Sequence, residues 1–170
     1  MTGAELVLDA FGRVREVVHQ VSRDLTAEQA AQRVDAGANS IAWLLWHLTR
    51  VQDDHFAQAF GLEQVWLAGG WEARFGLPFE PEATGYAHGS DEVAAVRVES
   101  VELLTGYHDA VFEQLVQCLK GLTEEDFDRI VDRSWDPPVT LGVRLVSVIS
   151  DGLQHAGQAA FVRGVLRRDS

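Results

Sequence analysis

The sequence predicts an all-α protein, a four-helix bundle with crossover connections. Three observations carry that expectation. Apolar residues recur at three- and four-residue steps in four long stretches, which is helical periodicity. No stretch alternates convincingly as a strand. The connection between the second and third stretches is long and the next is moderate, which suits crossovers rather than short hairpins throughout.

The first amphipathic helix runs from about Glu5 to Leu25, with Leu6, Leu8, Phe11, Val14, Val17, Val18 and Val21 on its apolar side. His19 lies near its end and reads as a surface or helix-end histidine. Thr26 opens Thr-x-x-Gln, a capping box for a short helical turn. Gly37 and Asn39 mark the loop that follows. Ser40 or Asn39 caps the second long helix, and Gly61 ends it. Its stripe is Ile41, Leu44, Leu45, Leu48, Val51 and Ala59, and His47 leans to the same side.

Residues 61–89 are of another kind. They hold two of the four prolines together with Trp66, Trp71, Phe75, Phe79 and Tyr86. This is too aromatic for a disordered linker and long for a structureless loop. The excursion is expected to fold over one end of the domain, its aromatics either lining a pocket or extending the core. His88 reads as solvated, and Ser90 as the cap of a short start. The third long helix spans roughly Ser100 to Lys120, with Val101, Leu104, Tyr107, His108, Val111, Leu115 and Leu119 at helical steps. His108 has no histidine or carboxylate companion on its face and reads as a core or edge residue. Gly121 stops this helix, Thr123 caps a short acidic turn, and Asp136-Pro137-Pro138 leads to Thr140. There the last long helix begins, running to about Gly164 on a stripe of Leu141, Leu145, Val148, Gly152, Ala156 and Ala159.

The 170 residues suit one domain, 1–170, with a real core. A net charge of -12 without a basic run argues against nucleic acid and against an anionic membrane surface as partners. No apolar run is long enough to span a bilayer, and the N-terminus has no basic region before a hydrophobic stretch, so the expected location is cytoplasmic. Cys118 is the one cysteine, which excludes an internal disulfide; inside a helix it reads as a packed thiol. A single lysine against thirteen arginines fits a high-GC genome.

Asp151 and His155 sit one helical turn apart beside the apolar stripe of the last helix. A carboxylate facing the core needs a cation, a hydrogen bond or a metal. His47 on the second helix supplies a third candidate ligand. Two imidazoles and one carboxylate suit a divalent transition metal such as zinc, nickel or iron, with positions left open for water or substrate. Spacing alone equally allows a hydrogen-bonded Asp–His pair.

The segments NSIAWLLWHLTRVQDDH (39–55) and DGLQHAGQAAFVRG (151–164) resemble the DinB-like superfamily of metalloenzymes, most of all the branch of mycothiol-dependent maleylpyruvate isomerase and related thiol transferases. The resemblance covers nearly the whole chain. It implies a metal held by one histidine of the second helix and two ligands of the last, positions that His47 and His155 match. Many relatives carry His-x-x-x-His on the last helix, but Ala159 follows His155 at that spacing. The isomerase-like version has a carboxylate four residues before the histidine, usually glutamate, and Asp151 stands there. The resemblance further implies mycothiol as cofactor, a small-molecule thiol and an electrophile as partners, and a homodimer. Arg163 and Arg144 are candidates to bind substrate, Arg163 through a substrate carboxylate, although a surface or ion-paired role suits it as well. His55 and Asp54 are either outer groups orienting a ligand or solvated. The expected function is metal-dependent activation of a thiol for transfer or isomerisation. The alternatives are a metal-dependent hydrolase, or a non-catalytic small-ligand-binding or stress-associated bundle.

Overall fold

The computed structural model describes residues 1–168. The helices, in order, are α1 (Gly3–Ser22), α2 (Ala27–Ala31), α3 (Ile41–Phe60), α4 (Val65–Ala68), α5 (Trp71–Phe75), α6 (Ser90–Ala95), α7 (Val101–Leu119) and α8 (Leu141–Leu166). The four long ones are the four expected. Side chains set their starts: Thr2 and Glu5 form a capping box on α1, the Ser40 hydroxyl accepts the Trp43 N–H at 3.1 Å, and Thr140 accepts that of Val143 at 3.3 Å. Gly61 ends α3 in the left-handed conformation, φ 66°.

The long helices form a mostly helical bundle. α1 and α3 each pack on both α7 and α8, so α1 faces α3 across one diagonal and α7 faces α8 across the other. Consecutive long helices α1 and α3 are therefore diagonal, as are α7 and α8, and their connections cross an end of the bundle. Phe11 and Phe56 meet edge to face across the middle, with ring centroids 5.1 Å apart.

The second long helix is less one-sided than its stripe suggests. Every residue of α3 from Ile41 to Arg50 is buried. The cause is the 61–89 excursion, which covers the side that periodicity alone would leave to water. Trp66, Trp71 and Phe75 are buried against the core, Phe79 packs on it, and Tyr86 is exposed. Two charged residues of α3 fasten the excursion down. The buried Asp53 carboxylate accepts the N–H groups of Val65 and Trp66, each at 2.8 Å, capping α4, and the Tyr107 hydroxyl at 2.7 Å. Arg50, equally buried, donates to the carbonyls of Ala83 at 3.0 Å and Pro81 at 3.3 Å, to Gln64 at 2.8 Å and to the Tyr107 oxygen at 3.2 Å. Burial pushes the Asp53 carboxyl up against the lowering effect of these donors.

Other expectations resolve individually. A two-stranded antiparallel pair, β1 (Ile130–Asp132) with β2 (Val139–Thr140), corrects the strand-free reading; runs of three and two residues are too short to show alternation. His108 is a core residue. Its Nδ1 meets the Thr49 hydroxyl at 3.1 Å, and burial pushes it down to about 4. His19, at the end of α1, meets Asp109 at 2.8 Å. Cys118 is partly buried, and burial raises its thiol. Leu6 is exposed rather than on the buried side of α1. Among the described residues, no helix is long and apolar enough to cross a membrane.

Candidate metal centre

His47, Asp151 and His155 come together where α3 packs on α8. Each offers one ligand atom, and the three atoms lie within 4.8 Å of one another. The His155 Nε2 and an Asp151 carboxylate oxygen, Oδ1, are 3.4 Å apart. Two ligands on one tetrahedral zinc ion, with bonds of about 2.0–2.1 Å, stand roughly 3.4 Å apart.

Both imidazoles are oriented by their far nitrogens. The Nδ1–H of His47 donates to the Thr84 carbonyl at 2.5 Å, and the Nδ1–H of His155 donates to Gln158 Oε1 at 3.0 Å. In its neutral form, each ring with Nδ1 donating presents a lone pair on Nε2, the tautomer a metal requires; a proton on the His155 Nε2 would instead bond to Asp151, and metal binding displaces it. The rings lie nearly perpendicular, with centroids 4.8 Å apart. Trp43 stacks on His47 at 4.5 Å and turns an edge to His155 at 6.2 Å. Burial lowers the His47 pKa, helped by the neighbouring His155, while the Asp151 hydrogen bond raises that of His155. The donor set therefore fits a divalent cation in chemistry and orientation.

The excursion supplies the support behind His47. Gly85 has φ 91°, and a Cβ there would stand 2.8 Å from His47 Nδ1 and 3.0 Å from the Trp46 ring. Only glycine brings the Thr84 carbonyl this close. His88 corrects its solvated reading: its Nδ1 accepts the Trp43 indole N–H at 3.2 Å, and its ring packs on Trp46 and Phe79. Two open grooves flank the cluster. One, of about 660 Å³, runs along α8 past Val143, Val146, Ser147 and Asp151; the other, of about 520 Å³, lies by Asn39, Leu44, Gln158 and Phe161.

The two arginines lie elsewhere in the hydrogen-bond network. Arg144 donates to Asp132 at 2.6 Å, tying α8 to β1. Arg163 donates to the carbonyls of Gln20, Val21 and Arg23 and so caps the end of α1. Neither is one of the three clustered ligands; Arg144 forms an ion pair and Arg163 a cap. His55 is half-buried rather than solvated, its pKa lowered by burial and by Arg144, and Asp54 accepts from Gln64 at 2.8 Å. Gln158 was legible as the residue one helical turn beyond His155. Thr84 and Gly85 carry no local signal, because their role exists only once the excursion has folded back on α3.

The comparisons agree with this architecture. The solved structure described as the conserved protein of locus from Enterococcus faecalis matches with a TM-score of 0.89 and 30% identity, over 96% of each chain. A comparison with curated proteins finds no match. The family model described as mycothiol-S-transferase matches residues 6–168. The chain belongs to the mycothiol-S-transferase family, with its DinB-like helical fold.

Proposed function

We propose that this protein is a metal-dependent thiol transferase in which His47, Asp151 and His155 hold one divalent ion, zinc suiting the donor set best and nickel or iron also compatible. The observation that carries the proposal is the convergence of three donors within 4.8 Å, with the far nitrogen of each imidazole held by a hydrogen bond. When bound, such an ion lowers the pKa of a coordinated thiol and stabilises its thiolate. The thiol is mycothiol, as the family implies, and its partner is a small electrophile.

The chain's own residues have separate tasks. Thr84 and Gln158 hold the two imidazoles in place, which spares the site reorganisation when a ligand arrives. Trp43 shields one face of His47 from water. The grooves beside Asp151 and Gln158 offer room for thiol and electrophile on either side of the cluster. We further take the protein to be one domain and a cytoplasmic homodimer. A solution mass equal to the 18.8 kDa of one chain, by light scattering, would refute the dimer.

The test is metal content of untagged protein, with His47→Ala and His155→Ala alongside, followed by thiol consumption with mycothiol and a panel of electrophiles. The proposal requires bound metal in the wild type, its loss in both variants, and metal-dependent thiol consumption. Equal metal content in all three proteins would remove the site; full metal without thiol consumption would remove the reaction.

A further inference from the structure

We propose that Gln52 is a positioning residue for Asp151, acting with His55 through one buried water. The inference rests on the metal reading above and concerns the Asp151 oxygen that does not meet His155. Among the described residues, Gln52 Nε2 and His55 Nδ1 of α3 and Asp151 Oδ2 of α8 are buried polar atoms with no hydrogen-bond partner. Gln52 is only 2% exposed, so bulk water does not satisfy its amide. It points at the turn of α8 that carries Asp151, since a Cβ on Gly152 would stand 3.1 Å from its Nε2. His55 lies one turn further along α3 on the same seam and feels the charges of Arg144, Asp54, Asp151 and Asp132.

A buried polar group left without a partner is costly. The three are chemically complementary: an amide donor, a carboxylate acceptor, and a ring nitrogen that serves as either. A buried water with two to four such partners satisfies them together. Oδ2 is then held on the α3 side, and Oδ1 stays turned toward His155 Nε2, 3.4 Å away. Gln52 touches no reacting atom in this arrangement and acts through the carboxylate.

The experiment is zinc affinity by competition with a chromogenic chelator, with thermal melting of the metal-free protein beside it. Gln52→Met and Gln52→Leu remove the amide at similar volume. Both are expected to weaken zinc binding about tenfold or more, the scale of losing an outer partner of a ligand. The metal-free melting temperature should change little, because the water keeps Asp151 and His55 as two partners. In an Asp151→Ala background, Gln52→Met should have no further effect on affinity. Unchanged affinity in both single variants overturns the inference while leaving the metal site standing, and so does an equal loss in the Asp151→Ala background. If the wild type itself binds no zinc, the metal reading fails and this one with it.

Discussion

Gly85 links the excursion to the candidate centre more tightly than any ligand does. The replacement Gly85→Ala tests that link. At φ 91° an alanine pays the left-handed penalty, roughly 1–2 kcal/mol. Its Cβ would also stand 2.8 Å from His47 Nδ1, inside contact distance, so the ring or the loop must move. Either movement breaks the His47–Thr84 hydrogen bond, worth about 1 kcal/mol. Together the loss is roughly 2–3 kcal/mol. For a chain of this size that lowers the melting temperature by about 4–12 °C. Gly61→Ala is the internal control: it too has positive φ, 66°, but among the described residues nothing lies within 4 Å of its added Cβ. It should show the strain alone and keep the metal affinity of the wild type, whereas Gly85→Ala should lose affinity as well as stability. Differential scanning calorimetry and zinc competition on both variants make the comparison. Equal melting temperatures and equal zinc affinities for the two would refute the claim that the loop sets the position of His47.

Three other outcomes follow from the same geometry. Asp53→Ala leaves Arg50 buried without its carboxylate and uncaps the Val65 and Trp66 N–H groups, so chemical denaturation should show a loss of about 3–5 kcal/mol. Zinc affinity should fall with pH. Asp151 raises the pKa of His155, so proton competition begins above the ordinary histidine value of about 6.5, and His47, held lower by burial, adds a second proton only at more acid pH. Chelator competition between about pH 8 and 5.5 should therefore show a slope of one proton steepening toward two. His108 makes the fold itself acid-sensitive. Its folded pKa of about 4 lies below the unfolded value, so the unfolded chain binds the extra proton in between. Its contribution is complete above about 6.5 and is lost as pH falls toward 4, amounting to roughly 3 kcal/mol. His108→Leu should flatten that slope in denaturation curves, and an unaltered slope would count against it.

What the sequence made legible divides along physical lines. Helices α1, α3, α7 and α8 announce themselves because each buries a face at a 3.6-residue period and because Ser40, Thr140 and Gly61 are local punctuation. Asp151 and His155 were legible as a pair for the same reason, being one turn apart on one helix. Their meeting with His47 depended on knowing that α3 packs on α8, which periodicity does not encode. The Arg50–Asp53 clamp escaped notice because charged residues within a helix read as its wet side. Only the folded excursion, through Gln64, Pro81 and Ala83, turns that side into interior. Arg163 is the opposite case: its spacing from His155 suggested a shared face, and its side chain reaches the open carbonyls at the end of α1.

The short arm of Asp151 is explained by the residue beside it. Relatives of the isomerase-like kind usually carry glutamate there, which takes the carboxylate one methylene, about 1.5 Å, further from the helix axis. Here the following residue is Gly152, buried against Gln52 and Val14, where a Cβ would stand 3.1 Å and 3.5 Å from their nearest atoms. Removing that Cβ lets the backbone of α8 sit close to its neighbours at the turn that carries the carboxylate. The distance to be covered shrinks where the side chain is shorter, and the Asp151 carboxylate meets the α3 ligand His47 and its own neighbour His155 within 4.8 Å. A longer acid on the same backbone would have to fold back to keep that separation. On the metal reading, Asp151 and Gly152 therefore act as one unit, a short ligand on a closely packed helix. Ala159 is consistent with the same economy of space: it is fully buried, on the turn after His155, where a second histidine would need room that the packed seam does not leave.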